Sequence, residues 1–367
     1  MENSELIVLY NGKTVGLLKE LSNGKIGFQY EDSWINNGFS ISPFSLPLSN
    51  RIFISSSQYF EGLFGVFYDC LPDGWGVRLL IRMLSKKGID YLKLPALAKL
   101  SLISENGLGA LEFQPSQRIN TRIDGYSLDE LAKEADSFLK EEDSDPNNYD
   151  ILYALGGSSG GARPKAHVRI DGDEWIIKFP ASIDGKNAGQ EEFKANCLAQ
   201  KSGIRTTDFK LFESGICPGY YGSKRFDRTK DGRVHTISLS SLLETSHQIP
   251  NLDYMHLFQV TNKICKNRDE LYEAYKRMCF NVLYGNKDDH GKNFAYMYDE
   301  SVKSYCLSPF YDITKTPYKV EHEMTVLGNG KPIEKDLVDI IGEAKLNRER
   351  CMDIISSIKE VVRQEKY

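Results

Sequence analysis

In the stretch Asn286-Lys-Asp-Asp-His-Gly-Lys-Asn293, Asp288 stands five residues before Asn293, and Asp312 follows nineteen residues later in Phe310-Tyr-Asp312. An Asp and an Asn at that interval are the spacing with which phosphoryl-transfer loops set a base for the acceptor hydroxyl beside an oxygen ligand for Mg²⁺. Two short alternating runs, 294–298 and 304–308, are joined by Asp299-Glu-Ser-Val-Lys303 and read as a β-hairpin. A hairpin returns the chain to its start, so Asn293 and Asp312 are predicted to meet at one end of it. One base candidate and two Mg²⁺ ligand candidates then converge, in a chemistry that works mainly by positioning and charge neutralisation. Asp289 is the alternative base, but only Asp288 keeps the five-residue interval to Asn293. His290 lies inside the loop. The other five histidines are dispersed, so it is read as loop support or a phosphate contact rather than a zinc ligand.

These residues need elements to deliver them. Leu271, Tyr275, Met278 and Val282 share one helical face that ends at Gly285, directly before the loop. Upstream, Gly156-Gly-Ser-Ser-Gly-Gly-Ala-Arg-Pro-Lys165 puts four glycines into six positions. Glycine lets backbone N–H groups approach phosphates closely, although this is not a Walker A sequence. Glu174-Trp-Ile-Ile-Lys178-Phe-Pro then places a lysine inside an apolar strand. A lysine so placed calls for an anion: a nucleotide phosphate, and a carboxylate from Glu191 or Glu192, which open the next helix. Snorkelling of Lys178 at a strand edge is the competing reading. Tyr221-Gly-Ser-Lys-Arg225-Phe-Asp-Arg228 reads as a strand leaving one lobe for the next, with Arg225 and Asp227 equally suited to a structural ion pair.

At 367 residues the chain exceeds the size of a single core. Its composition, 41% hydrophobic and 26% charged with net charge −5, is that of a folded globular protein and gives no footprint for binding nucleic acid unaided. No signal peptide or membrane span is read. The seven cysteines, odd in number and without a C-x-x-C pair, fit a reducing cytosol, so the expected location is cytoplasmic. Asn11-Gly12 between apolar runs is a type I′ hairpin signal, and residues 25–30 continue the antiparallel pattern. After Leu71-Pro-Asp-Gly-Trp75 a helix carries Leu79, Leu80, Met83 and Leu84. Ser127 and Glu130 form a capping box for another helix, with a linker at 142–148. Two polar amphipathic helices are predicted beyond Pro332, which suits a first helical position.

Taken in order, Ser158-x-x-Gly-x-x-x-Lys165, Ile-Ile-Lys178-Phe-Pro, Arg225-Phe-Asp-Arg228, Asp288-Asp-His-Gly-Lys-Asn293 and Pro309-Phe-Tyr-Asp-Ile313 resemble the HipA-like toxin kinases, and Leu71-Pro-Asp-Gly-Trp-Gly76 resembles that family's amino-terminal motif. The resemblance implies an α+β protein: a two-lobed protein-kinase-like domain, related to phosphoinositide kinases, behind a small amino-terminal α/β subdomain. The boundaries expected are 1–116 for that subdomain, 117–149 for a helical linker, 150–223 for the Gly-rich lobe and 224–367 for the catalytic lobe. The implied activity is that of an ATP- and Mg²⁺-dependent serine/threonine kinase, the toxin of a type II toxin–antitoxin pair. By the resemblance Asp288 is catalytic and Asn293 and Asp312 hold Mg²⁺. Lys178 pairs with Glu192 and holds the α/β-phosphates. Gly160, Gly161, Ala162, Arg163, Pro164 and Lys165 form the nucleotide loop, Lys224, Arg225 and Phe226 the adenine hinge, and His290 and Tyr311 further nucleotide contacts. Lys224 departs from the glutamate usual at that hinge. Ser158 aligns with a serine whose autophosphorylation silences the kinase. The implied partners are a helix-turn-helix repressor, through which DNA is contacted, and a protein substrate such as an aminoacyl-tRNA synthetase. A small-molecule or lipid-type kinase and a catalytically silent corepressor are the alternatives.

Overall fold

The computed structural model describes residues 4–103, 107–117, 126–140, 152, 156, 161, 163–181 and 185–364. The chain forms two compact units, one from Met1–Gln190 with Phe209–His235, the other from Glu191–Asp208 with Thr236–Tyr367.

The first unit opens with an antiparallel sheet of β1 (Glu5–Tyr10), β2 (Lys13–Glu20), β3 (Ile26–Tyr30), β4 (Phe53–Ile54) and β5 (Leu111–Gln114), in the order β4-β3-β2-β1-β5. Asn11 and Gly12 both have positive φ (46° and 77°), the two left-handed positions a type I′ turn requires. The helix Gly74–Ser85 buries Trp75, Leu79, Leu80, Met83 and Leu84. That face shares one core with Leu131, Ala135 and Phe138 of the helix Leu128–Lys140 and with Trp175, Ile177, Phe179 and Tyr220. The capping box forms as predicted: Ser127 donates from N–H and hydroxyl to the Glu130 carboxylate (2.7 and 2.8 Å), while Glu130 N–H donates to Ser127 Oγ (3.3 Å). The linker expected at 142–148 lies outside the described residues.

A second antiparallel sheet in the same unit has β6 (Lys165–Ile170), β7 (Asp173–Lys178), β8 (Phe209–Phe212) and β9 (Tyr220–Lys224) in the order β6-β7-β9-β8. Strand β6 is an addition to the sequence reading, which passed from the Gly-rich segment straight to the Lys178 strand.

The second unit is built around the helix Asp269–Tyr284, packed against the helices Tyr254–Ile264 and Arg348–Gln364. Its predicted face is buried at Leu271, Tyr275 and Met278. Gly285, at φ 88°, ends it in the left-handed conformation, with its N–H on the Asn281 carbonyl. The predicted hairpin is present as Ala295–Asp299 paired with Ser304–Leu307, and Thr236–Ser238 adds a third strand. In the tail, the helices Glu334–Glu343 and Arg348–Gln364 agree with expectation. Pro332 does not occupy the first helical position: Ile333 is the N-cap, its N–H held by Asp336 (2.7 Å), so the proline sits one residue outside.

Candidate active site

The loop after Gly285 is fixed from beneath. Asn286 donates to Asn281 Oδ1 (2.8 Å), and Asn281 donates to the Tyr254 hydroxyl (2.9 Å). Tyr254 in turn donates to Asp289 Oδ2 (2.7 Å), which also accepts from His322 Nδ1 (2.7 Å), while Asp289 Oδ1 accepts from Glu323 N–H (2.9 Å). Burial, reinforced by the Asp289 charge, pushes the Tyr254 hydroxyl far up, so it remains a donor. Asp289 is 1% exposed with both oxygens engaged, and so serves as the keystone of the loop. That leaves Asp288, with 34% of its side chain exposed, as the carboxylate open to an acceptor.

Asn293 ends a 3₁₀ turn, Gly291–Asn293, and donates from Nδ2 to the Asp288 carbonyl (2.7 Å). With the amide nitrogen spent there, Oδ1 is the atom left to ligate a cation. The hairpin pairing is extended by Ser308 N–H on the Ala295 carbonyl (2.8 Å). Beyond it the Tyr311 hydroxyl donates to the Lys292 carbonyl (2.6 Å). The neighbours of Asn293 and Asp312 therefore touch; the meeting of Asn293 and Asp312 themselves at one metal belongs to the proposal below. Asp312 itself has φ 56°, in the left-handed region that aspartate, like asparagine, enters more readily than most side chains. One amide and one carboxylate oxygen suit Mg²⁺, which takes few protein ligands and completes its shell with water and phosphate oxygens.

Buried charge holds the strand leading to Asp312. Arg277, fully buried, bonds Glu273 (3.0 Å) and the Ser308 carbonyl (2.5 Å), and Arg205 grips Glu270 through two bonds (3.0 and 2.8 Å) and the Leu307 carbonyl (2.7 Å). His290 has a buried Nδ1 without a hydrogen-bond partner among the described residues, and its ring lies 5.3 Å from that of His247.

Two residues of this site, Lys319 and the His322 already placed on Asp289, carry no local sequence signal. Lys319 Nζ bonds Asp288 Oδ1 (2.5 Å) and Glu323 Oε1 (2.7 Å). Burial works against its charge, but these two carboxylates outweigh it and raise its pKa, so the ammonium persists.

In the first unit, Lys178 and Lys165 are directly opposed across β7 and β6, and Lys178 Nζ lies 5.8 Å from the centre of the Tyr221 ring. Directly opposed residues of an antiparallel pair share one face of the sheet, so both lysines stand where an anion could be held. Pro164 accepts from Phe179 N–H (2.9 Å), and Arg163 lies between Gly161 and β6. Gly161, at φ 85°, donates its N–H to the Asp73 carboxylate and accepts from Trp75 N–H (3.0 Å). The Leu71–Trp75 motif thus grasps the end of the Gly-rich segment. A Cβ on Gly156 would lie 2.0 Å from the Lys165 carbonyl, so this approach is open only to glycine. Ser158, Gly160 and Ala162 lie outside the described residues. Glu192 is buried on the helix Ala188–Lys201, in the second unit, and its expected pairing with Lys178 belongs to the proposal below.

Of the hinge residues, Lys224 pairs with Asp173 (2.9 Å). Arg225 takes the structural option. Its guanidinium bonds both Asp227 oxygens (2.9 and 2.7 Å), His167 Nδ1 (2.8 Å) and the Gly107 carbonyl (2.8 Å), and its N–H donates to the Glu174 carbonyl (2.8 Å). A nucleotide contact through that side chain or N–H has to displace those bonds. Burial would raise the Asp227 pKa, but Arg225, Arg228 and the Gly109 N–H together hold it well below the usual carboxylate range. His167 is kept neutral by burial and by the Arg225 charge.

With mixed helix and sheet, the chain has a kinase-like α+β fold. Residues 157–365 match the HipA-like C-terminal domain and residues 6–114 the HipA N-terminal domain. The chain belongs to the HipA family. A solved chain from the Shewanella oneidensis MR-1 toxin–antitoxin complex of HipA, HipB and operator DNA has the same fold, with a TM-score of 0.75 at 19% identity, covering 98% of this chain and 89% of that one. Two proteins of Sinorhizobium fredii (strain NBRC 101917 / NGR234), both provisionally named as kinases, are similar in sequence. Y4dM is 27% identical over 202 residues, 50% of this chain and 49% of its own length. Y4mE is 24% identical over 338 residues, 85% of this chain and 77% of its own. Among the described residues no helix is long and apolar enough to cross a membrane.

Proposed function

We propose that this chain is an ATP-dependent serine/threonine protein kinase and the toxin of a toxin–antitoxin pair. The observation that carries the reading is the loop geometry: an accessible Asp288 whose carbonyl is tied to Asn293, with the Tyr311 hydroxyl beside Asp312 bonded to the carbonyl of Lys292 beside Asn293. The provisional kinase names of both S. fredii proteins and the family membership agree with it. Asp288 orients the acceptor hydroxyl and takes its proton as the γ-phosphoryl group departs from ADP. Mg²⁺, held by Asn293 and Asp312, supplies neutralisation of the phosphate charge. Lys178, steadied by Glu192, holds the α/β-phosphates with Lys165, Arg163, Pro164 and the glycines of the loop, while the segment around Lys224 and Phe226 receives the adenine and His290 and Tyr311 line the nucleotide. The partner is a helix-turn-helix repressor, in keeping with the HipB-and-operator context of the Shewanella protein. The acceptor is a component of translation such as an aminoacyl-tRNA synthetase, and phosphorylation of Ser158 silences the enzyme.

Incubating the purified chain with [γ-³²P]ATP, Mg²⁺ and a bacterial lysate tests this. One or a few labelled proteins, absent with Asp288→Asn, are expected. Labelling confined to small molecules, or none at all, overturns the protein-kinase reading.

A further inference from the structure

Residues 316–323 run alongside the catalytic loop and are bonded to it along their length. Thr316 N–H donates to the Gly285 carbonyl (3.2 Å), and Lys287 N–H donates to Thr316 Oγ1 (2.8 Å). Lys287 Nζ donates to the Lys319 carbonyl (2.7 Å), and Glu323 N–H reaches both Asp289 Oδ1 (2.9 Å) and the Lys287 carbonyl (3.3 Å). In this anchored segment Tyr318 and Val320 are each 71% exposed, whereas the side chain between them, Lys319, is drawn in to 25%. Ordinary exposed ion pairs contribute little because two long side chains must be ordered to make them. Here the backbone beneath Lys319 is already ordered, and Glu323 holds the ammonium from the other side, so the contact with Asp288 Oδ1 is preorganised.

We infer that Lys319 is a positioning residue for phosphoryl transfer, holding Asp288 by Oδ1 so that Oδ2 faces the acceptor hydroxyl. The inference rests on the kinase reading above. Among the described residues Oδ2 makes no bond. In the transfer, an acceptor oxygen lone pair forms the new bond to the γ-phosphorus, and the bond from that phosphorus to the β,γ-bridging oxygen breaks with its electron pair on ADP. The acceptor proton goes to Asp288 Oδ2. A carboxylate free to rotate about its χ angles presents that oxygen only part of the time, and the two carboxylates of Asp288 and Glu323, left without the shared ammonium, repel each other.

The test compares wild type with Lys319→Met, Lys319→Arg, Glu323→Gln, Asp288→Asn and the Asp288→Asn/Lys319→Met double variant. The readouts are γ-³²P transfer to lysate protein at saturating ATP, affinity for a fluorescent ATP analogue, and melting temperature. Lys319→Met is expected to lower the saturating rate by about 10²-fold with nucleotide affinity changed less than about threefold, because it acts on the acceptor side. Lys319→Arg restores the rate to within about tenfold of wild type, and Glu323→Gln lowers it by a smaller factor than Lys319→Met. The double variant is no slower than Asp288→Asn alone, as expected of groups acting as a unit. A Lys319→Met rate within about threefold of wild type, or above it, overturns the role, as does a loss expressed wholly in nucleotide affinity. Should Lys319→Met fail to fold, Glu323→Gln and Lys319→Arg decide: wild-type rates from the first with about 10²-fold loss from the second also overturn it. If wild type labels nothing, or Asp288→Asn labels equally well, the kinase reading fails and takes this role with it. Loss with Asp288→Asn but indifference to Lys319→Met defeats the role alone.

Discussion

The side-chain amide of Asn293 donates to the main-chain carbonyl of Asp288 at 2.7 Å, so the candidate metal ligand and the candidate base belong to one hydrogen-bonded loop. Tyr311, the residue before Asp312, reaches the same loop through its hydroxyl on the Lys292 carbonyl. Asp312→Ala is therefore expected to weaken Mg-ATP binding while leaving metal-free ATP binding nearly unchanged. Isothermal titration with and without Mg²⁺ checks it, and equal losses in both conditions would remove Asp312 from the metal site.

Asp288 and Asp289 are adjacent but not interchangeable. Asp288→Asn is expected to lower phosphoryl transfer by about 10²–10⁴-fold, the usual worth of a positioned base, with ATP affinity and melting temperature close to wild type. Asp289→Asn leaves Tyr254, His322 and the Glu323 N–H facing a poorer acceptor in a buried site. It should lower the melting temperature as well as activity, since unmatched buried donors cost about 1–3 kcal/mol each. Thermal denaturation of the pair separates the roles; an Asp289→Asn protein as stable as wild type would contradict this assignment.

The hairpins, the helix before the loop and the capping box were legible in the sequence because each depends on neighbours within a turn or two. Asn11-Gly12 needs only its own left-handed backbone, and Leu271, Tyr275 and Met278 need only helical period. Lys319 and His322 reach Asp288 and Asp289 from 31 and 33 residues away, in a segment without periodicity, so no pattern announced them. The Arg225–Asp227 option was visible two residues apart, but Gly107, 118 residues upstream, was not. What was missed is the shell that orients the chemistry, which is made by tertiary contact alone.

Acid should loosen the first unit through Asp227. Its folded pKa lies below the ordinary value of about 3.9, so its contribution is fully present above that pH and is lost as pH falls towards the folded value. Asp227→Asn removes the charge facing Arg225 and Arg228 and is expected to cost about 3–5 kcal/mol at neutral pH, the penalty for orphaning buried partners. It should also flatten the decline in stability below pH 4. Denaturant titrations at pH 7 and pH 3 measure both effects, and an unchanged acid slope in the variant would assign the acid sensitivity elsewhere.

Lys178→Ala distinguishes phosphate binding from snorkelling. If the ammonium serves a nucleotide, affinity for ATP falls by about 10–100-fold, as for a lost charge-assisted hydrogen bond, and the melting temperature barely moves. A large drop in melting temperature with unaltered ATP affinity would instead favour a structural lysine covering apolar surface.

Asp73 links the amino-terminal motif to the Gly-rich segment, since its carboxylate accepts the Gly161 N–H while Trp75 N–H donates to the Gly161 carbonyl. Gly161 sits at φ 85°, a conformation that glycine enters freely and leaves as freely, so an external tether is what selects it. Asp73→Ala cuts the charged half of that tether. The site is partly open to water, so the loss is expected near the low end for a charge-assisted bond, about 1.5 kcal/mol, or roughly tenfold in ATP affinity. Asp73→Asn, which keeps an acceptor oxygen of the same reach, should recover most of it. Because the motif is remote in sequence from Asp288, the rate at saturating ATP should hold in both variants. ATP affinities equal to wild type in Asp73→Ala would mean that the Gly161 conformation is set by the segment itself and that the motif serves only the core around Trp75.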